Sequence, residues 1–385
     1  MNVFFLSRGY PSARDPQWGC FERDQAEALA GRGHRVTLLS VDQRLRFYWR
    51  PLGMTKRTVA GGITAYESFW CPLRVSSLLG TGFAMYLAES QAISLYERAV
   101  REQGTPDVIY AHYLPNMELG VRLKRRFGVP VVGIEHWSEM GKPNIRPSIL
   151  KRAGETYTQL NCLITVSSAL AANVKRQLGI DSVVINNMYG PEFSYLPRTA
   201  PRKAGDPVRL VAVGSLLPVK GYGTLLQALA RLKDSEQPWQ MQIVGGGKLH
   251  GELQKQIQAL GLGQLVELLG LRPKSEILRL LYESDLFVMS STSETFGVAA
   301  VEALAVGLPV VATDCGGPRD FISPLNGRLS PVGDAEGLSE SIAYMMAHLA
   351  DYDRKAIAQD CHDRFSHEAI ARKVEDVLKK VTAKS

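Results

Sequence analysis

Short apolar runs recur along the chain at intervals filled by segments with helical spacing. In the first half, Val3–Leu6, Val36–Ser40, Val108–Ala111, Val129–Ile134, Cys162–Val166 and Ser182–Ile185 are rich in β-branched and large apolar residues. They predict buried strands. Between them, Phe21–Gly31, Leu78–Gln103, Met117–Phe127 and Ser168–Leu178 predict helices. The pattern then breaks at Tyr195–Pro207, which is rich in Pro and basic residues and reads as a linker. Alternation restarts with strands at Val208–Val213, Gln240–Val244, Leu265–Leu269, Leu286–Met289 and Val310–Ala312. Helices are predicted over Tyr222–Leu232, Leu249–Leu260, Glu276–Tyr282, Val298–Val306 and Gly337–Leu349. Apolar strands alternating with helices imply an α/β protein whose parallel sheets are covered on both faces. The expectation is two doubly wound domains, 1–197 and 198–365.

Composition narrows the class. The 385 residues are 45% hydrophobic and 22% charged, as expected of a globular protein of two ordinary domains. No apolar run is long enough to span a bilayer. The start, MNVFFLSRGY, reads as a first strand rather than a leader. Cys20, Cys71, Cys162, Cys315 and Cys361 are scattered singly, which suggests neither a zinc site nor a disulfide framework and fits a reducing compartment. The charge is lopsided. Up to Pro197 there are 23 Lys and Arg against 16 Asp and Glu, and from Arg198 onward 22 against 22, so the whole net charge of +7 lies in the first half. Such a half suits an anionic partner: a phosphorylated acceptor, an anionic membrane surface or nucleic acid.

The most informative stretch is Ser290–Asp320. A buried strand runs into the polar loop Ser290-Ser291-Thr292-Ser293. Glu294 follows, directly before Phe296, Gly297 and Val298, where an Ala-rich helix opens. Glu302 sits inside that helix among apolar neighbours, and Gly316-Gly317 makes a later turn. A glycine at a helix start exposes unpaired backbone N–H groups, a ready site for an anion. Carboxylates accept hydrogen bonds from hydroxyls. Phosphate and hydroxyl recognition side by side suits a sugar nucleotide. A lone Glu is usually solvated surface, but a charge inside so apolar a helix is normally paired or functional.

This segment resembles the donor-sugar site of retaining glycosyltransferases of family 4, the group 1 glycosyl transferases. The resemblance covers nearly the whole chain and implies the GT-B fold, two Rossmann-like domains with the site in the cleft. The final helix, about 366–385, is expected to cross back onto the first domain. The resemblance implies a nucleotide-diphosphate-sugar as co-substrate, no cofactor and no metal. It further implies a glycan or lipid-linked acceptor in bacterial surface polysaccharide synthesis, and work in the cytoplasm, peripheral to the inner face of the plasma membrane. Nucleic acid is not an expected partner.

Other segments extend the resemblance. Val213-Gly214-Ser215 through Lys220-Gly221 is similar to the family's diphosphate-contacting turn. Lys220 matches, while Ser215 stands where an Arg is usual. Gly245-Gly246-Gly247 matches a Gly-rich turn; it lacks the third glycine of a dinucleotide fingerprint, which falls at His250. Arg272 lies where the family packs its nucleobase. Gly19 opens the first helix, which implies a place beside donor phosphate and acceptor. His136, after the strand ending at Ile134, matches a family His that points at the transferred sugar, and His112 ends the strand before it. The resemblance therefore implies His136, Glu294 and Lys220 as catalytic, with Gly19, Ser215, Gly245, Arg272, Phe296, Gly297, Val298 and Glu302 binding the donor. Asp351-Tyr352-Asp353 is formally a DxD but lies between polar helical stretches and reads as surface. Asn186-Asn187 reads as structural. Arg44–Arg50, Lys56-Arg57 and Trp70–Arg74 interleave cations with aromatics, a pattern suited to a lipid-linked acceptor or a membrane surface. A sugar-nucleotide epimerase-like enzyme and a catalytically inactive glycan- or lipid-binding partner are the alternative readings.

Overall fold

The computed structural model describes residues 1–12, 15, 18–42, 52–69, 81–198 and 205–384. Part of the expected linker, and the clusters Arg44–Arg50 and Trp70–Arg74, lie outside the described residues. The chain divides into two compact units. The first takes Met1–Val166, Ala171–Asn186 and the chain from Ile370 onward; the second takes Ser167–Leu170 and Asn187–Ala369.

The first unit runs β1 (Asn2–Ser7), α1 (Cys20–Gly31), β2 (Arg35–Val41), β3 (Gly53–Thr58), β4 (Thr64–Phe69), α2 (Thr81–Gln103), β5 (Val108–His112) and α3 (Leu114–Phe127). It continues with β6 (Val131–Glu135), α4 (Pro147–Tyr157), β7 (Cys162–Thr165), α5 (Ser168–Leu178) and β8 (Val183–Val184). Its sheet has the order β3-β4-β2-β1-β5-β6-β7-β8. Only β3 is antiparallel to its neighbour. The strands β1, β5 and β6 are buried almost throughout, which their unbroken apolar runs require.

The hairpin β3–β4 is not legible in the sequence. β3 is half polar with exposed residues, as an edge strand should be, so it carries no apolar run. Helix α4 is legible in hindsight: Pro147 sits at its start, and Ile149, Ala153, Thr156 and Tyr157 repeat on one buried face. Helix α3 begins at Leu114 rather than at the expected Met117, because Pro115 suits a first turn.

The second unit is a six-stranded, all-parallel sheet. Its elements are β9 (Val208–Val213), α6 (Tyr222–Arg231), β10 (Trp239–Val244), α7 (His250–Ala259), β11 (Val266–Gly270), α8 (Lys274–Glu283) and β12 (Leu286–Met289). Then come α9 (Val298–Ala305), β13 (Val310–Thr313), β14 (Gly327–Ser330), α10 (Ala335–Ala347), α11 (Arg354–Phe365) and α12 (His367–Thr382), the last passing into the first unit at Ile370. The order is β11-β10-β9-β12-β13-β14, so chain order reverses between β9 and β12. Its core joins Leu210, Leu225, Leu229, Ile243, Val288, Val311 and Ile342.

One segment departs from the expected boundary, and the final helix joins the first unit. The stretch 187–198 belongs with the second unit, because Tyr189 reaches His362 (3.2 Å), Glu192 pairs with Lys274 (2.6 Å) and Tyr282 donates to the Ser194 carbonyl (2.5 Å). Helix α12 buries Ile370, Val374, Leu378 and Val381 along one face, and in the first unit its Glu375 pairs with Arg32 and His34. Among the described residues, no helix is long and apolar enough to cross a membrane.

Candidate active site

In an open parallel sheet, ligands bind beyond the carboxyl ends of strands where the order reverses, because neighbouring loops there diverge and leave a crevice. In the second unit that point lies between β9 and β12. The loop after β9 ends in a 3-10 turn, Pro218–Lys220, closed by Gly221. Gly221 has φ 63°, and a Cβ there would lie 2.0 Å from the Ser290 carbonyl oxygen, so only glycine fits. Two hydrogen bonds fasten this turn to the loop after β12: Ser290 Oγ to the Lys220 carbonyl (2.9 Å) and the Thr292 amide to the Val219 carbonyl (2.8 Å).

This fastening brings Lys220 and Glu294, 74 residues apart, into contact. Lys220 Nζ donates to Glu294 Oε1 at 2.5 Å, and Ser291 Oγ donates to the same oxygen at 2.7 Å. Glu294 is held by its backbone as well: its amide donates to the Cys315 carbonyl (3.1 Å), and its carbonyl accepts from the Gly317 amide (3.0 Å). The Gly316-Gly317 turn is needed for that approach, since a Cβ on Gly317 would sit 2.3 Å from Phe296 atoms. Lys220 keeps 27% and Glu294 13% of its side-chain surface exposed, so the pair is open to a ligand. Nearby, burial pushes the Cys315 thiol up to about 11, which leaves it protonated and a poor nucleophile.

Helix α9 starts four residues after Glu294. Its N-cap, Gly297, has φ 108° and offers no side chain to cap the first amides. Residues 297–299 are half-buried. Glu302 is half-buried between Val301 and Ala303, both fully buried. Phe296 packs into a cluster with Phe321 (5.3 Å between ring centroids) and Phe365 (5.7 Å) and is 1% exposed. Its ring therefore anchors the Glu294 loop, and only its backbone is left to face a ligand.

The remaining residues expected to bind a donor are dispersed. Ser215 is exposed on the turn after β9. Gly245 lies beside it, yet the need for glycine there is one of packing: a Cβ would fall 1.8 Å from the Gly214 oxygen. Its amide is already donated to the Gly270 carbonyl (2.9 Å). Arg272 is exposed after edge strand β11, about 10 Å from β9 at ordinary strand spacing, and pairs with Glu276 at 3.1 Å. Asp353 caps α11, accepting from the Lys355 (2.9 Å) and Ala356 (3.2 Å) amides, which explains the formal DxD. Among the described residues no group of three or more His, Cys, Asp or Glu side chains could hold a metal ion.

The first unit reverses its order between β1 and β5, and the loop after β1 lines a cavity with Arg8, Gly9, Tyr10 and Trp18. Gly19 is the buried N-cap of α1 at φ 78°, where a Cβ would lie 2.2 Å from the Gly9 oxygen. Arg8, just after β1, pairs through two nitrogens with the fully buried Glu22 (2.7 and 3.1 Å). Its guanidinium lies 3.9 Å from the centroid of Tyr113 and 4.8 Å from that of Trp18. His112 and His136 close β5 and β6, both buried, with His136 Nε2 and His112 Nδ1 3.3 Å apart.

Glu135 is fully buried and takes hydrogen bonds from Tyr157 Oη (2.6 Å) and from the Trp137 (2.8 Å) and Leu114 (3.1 Å) amides. Burial pushes its carboxyl up to about 7 against these donors. Arg8, Glu22, Tyr113 and Glu135 were not singled out by sequence. Glu135 had a signal, a charge ending a buried apolar run. Of the basic–aromatic cluster, Lys56 and Arg57 are engaged by Glu102 and Glu67.

Two family models match this chain: "Glycosyl transferase 4-like domain" over residues 22–187 and "Glycosyl transferases group 1" over residues 198–359. The chain is 23% identical over 419 residues to a putative colanic acid biosynthesis glycosyltransferase, WcaL, of Salmonella typhimurium, covering 99% of this chain and all of the relative. Among solved structures, sucrose-phosphate synthase from Thermosynechococcus elongatus matches the full length of both chains with a TM-score of 0.78 at 19% identity. Anabaena HepE in complex with UDP and glucose matches 99% of this chain and 100% of that one, with a TM-score of 0.72 at 21% identity.

Proposed function

The chain belongs to glycosyltransferase family 4, with the GT-B fold and relatives that act in polysaccharide biosynthesis, and on that premise we propose that it transfers a hexose, with retention and without a metal, from a nucleotide-diphosphate-sugar to a glycan or lipid-linked acceptor. The observation that carries this reading is the Lys220–Glu294 pair at the order reversal of the second unit. Each partner occupies the other until a ligand replaces it. A diphosphate attracts the Lys220 ammonium, and sugar hydroxyls donate to the released Glu294 carboxylate.

In the proposed reaction the bond between the anomeric carbon and the phosphate oxygen breaks, and its electron pair leaves with the diphosphate. The acceptor oxygen bonds to that carbon on the same face, and its proton passes to a phosphate oxygen. Lys220 and the amides at Gly297 and Val298 stabilise the charge that grows on the leaving group. Ser215 adds a hydroxyl donor where the family usually has a cation. Glu294 holds the sugar, Glu302 the ribose, and Arg272 the base or phosphate. Gly19 and Gly245 serve by letting loops approach, and His136 is assigned to the sugar or the acceptor. The reading places its work in the cytoplasm, beside the inner membrane face.

Thermal shift against UDP-, GDP-, ADP- and dTDP-sugars tests the donor site. One nucleotide series should raise the midpoint, and Lys220→Ala should abolish the rise. Intact protein that responds to no donor, with or without acceptor glycan, would sink the reading.

A further inference from the structure

The two buried histidines of the first unit are built as a unit. A neutral imidazole has one N–H and one bare nitrogen. His136 Nε2 and His112 Nδ1 face each other at 3.3 Å, so one donates and the other accepts. Whichever way the proton lies, fixing one ring's tautomer fixes the other's. The rings are also fixed in plane, by a run of near-parallel aromatics: Phe5 against His112 (5.3 Å, 24°), His112 against His136 (5.4 Å, 10°) and His136 against Phe21 (5.9 Å, 10°). Tyr110 packs its ring against His112 at 4.7 Å.

Apolar packing alone does not ask for this. Two imidazoles are costlier to bury than two phenyl rings, and Nε2 of His112 is buried without a hydrogen-bond partner. The backbone beside them is strained as well. Tyr113, directly after His112, has φ 67° and ψ 150°, a region that is essentially glycine's, and it is the only non-glycine residue with positive φ among the described residues. It is held there from every side. Its amide donates to the Ile134 carbonyl (3.0 Å), its carbonyl accepts from the Asn116 (3.1 Å) and Met117 (3.0 Å) amides, and Asn116 Nδ2 donates to the His112 carbonyl (2.9 Å). Glu135 takes the next amides on both sides, Leu114 and Trp137. Strain and buried polarity kept at one spot, against the interest of stability, mark a site rather than a core.

We propose that His112 is a positioning residue for His136: through the ring-nitrogen contact it couples the tautomer of His136 to its own and fixes the ring plane. This rests on the assignment of His136 to the sugar or acceptor. Burial and the nearby Arg8 charge hold His112 down to about 3, so it stays neutral across the working range and keeps one donor and one acceptor nitrogen. The charged and titratable groups around the pair are Arg8, Glu22, Tyr110, Tyr113 and Glu135.

Two substitutions separate positioning from packing. His112→Phe keeps the ring stack and removes the nitrogen; His112→Asn loses the stack and keeps a hydrogen-bonding group where Nδ1 was. The first readout is the nitrogen-15 spectrum of histidine-labelled protein, which reports tautomers without any substrate. The second is nucleoside diphosphate release from whichever of UDP-glucose, GDP-mannose, ADP-glucose or dTDP-glucose the thermal-shift panel selects. In His112→Phe the His136 signals should move from a single tautomer to a mixture. Its kcat should fall roughly tenfold to hundredfold with donor KM unchanged, as for other groups that orient an imidazole. His112→Asn should recover part of both. A folded His112→Phe protein with unchanged His136 signals and unchanged kcat would overturn the proposal. His136→Ala is the control: if it turns over donor normally, the assignment of His136 and this proposal both fall. If His136→Ala is inactive while His112→Phe is normal, only the proposal falls.

Discussion

The two units reverse strand order in the same way, yet the two reversal points are finished differently. In the second, an ammonium that keeps 27% of its surface and a carboxylate that keeps 13% meet in loops zipped together by glycines. In the first, Arg8, Glu22, His112, His136 and Glu135 are packed among aromatic rings. The open pair is suited to exchanging its partner for a ligand. The closed cluster is suited to holding groups still. The same topology thus yields a partly exposed ion pair at one end and a buried cluster at the other, and the difference lies in side chains rather than in the sheet.

The sharpest way to break this contrast is to remove one charge from each end. Glu22→Ala removes the fully buried carboxylate from an Arg8 that keeps 27% of its side-chain surface exposed, and should lower unfolding free energy by about 1–3 kcal/mol. Lys220→Ala, at the partly exposed pair, should cost less than about 1 kcal/mol. Urea unfolding of both variants measures this, and equal losses would erase the distinction.

pH sharpens it next. Glu135 titrates near 4.5 unfolded and about 7 folded, so between these values the folded state holds the extra proton and stability falls as pH rises. His112 goes the other way. Its 6.5 drops to about 3, the unfolded state holds the extra proton between these values, and stability rises with pH up to 6.5. From 4.5 to 6.5 the two slopes oppose each other, and their joint contribution should be nearly flat. Glu135→Gln should uncover the rising slope and His112→Phe the falling one, the latter on the order of 3 kcal/mol in total. Denaturant midpoints taken from pH 4 to pH 8 test this; parallel profiles in all three proteins would refute it.

The smallest effect is away from both ends. Asp353→Ala removes a helix cap and should cost about 1 kcal/mol, with donor-induced thermal shifts unaltered. A loss of donor binding in that variant would return the DxD to the site.

Much of the second unit's candidate site was legible because its residues follow strands directly. Lys220 sits seven residues after β9 and Glu294 five after β12, in loops whose glycines announce close approach. What was not legible was that they touch, since 74 residues separate them and only the strand order makes β9 and β12 neighbours. Phe296 shows the limit of reading by proximity: it adjoins the site residues in sequence, but its ring turns into the Phe321–Phe365 cluster.

The first unit was harder to read. Arg8 follows an apolar strand like many surface arginines do, and nothing local says that Glu22 lies buried opposite it. Tyr113 gives no sign of positive φ, since only tertiary hydrogen bonds enforce it.

By itself, then, the sequence determined the alternation of strands and helices, the glycines at the loop crossings and the family of the chain, because these depend on local periodicity and short motifs. The tertiary structure alone decided which loops meet, which charges are buried, and which histidines touch. Those outcomes depend on strand order and side-chain packing, and both join residues that the chain keeps far apart.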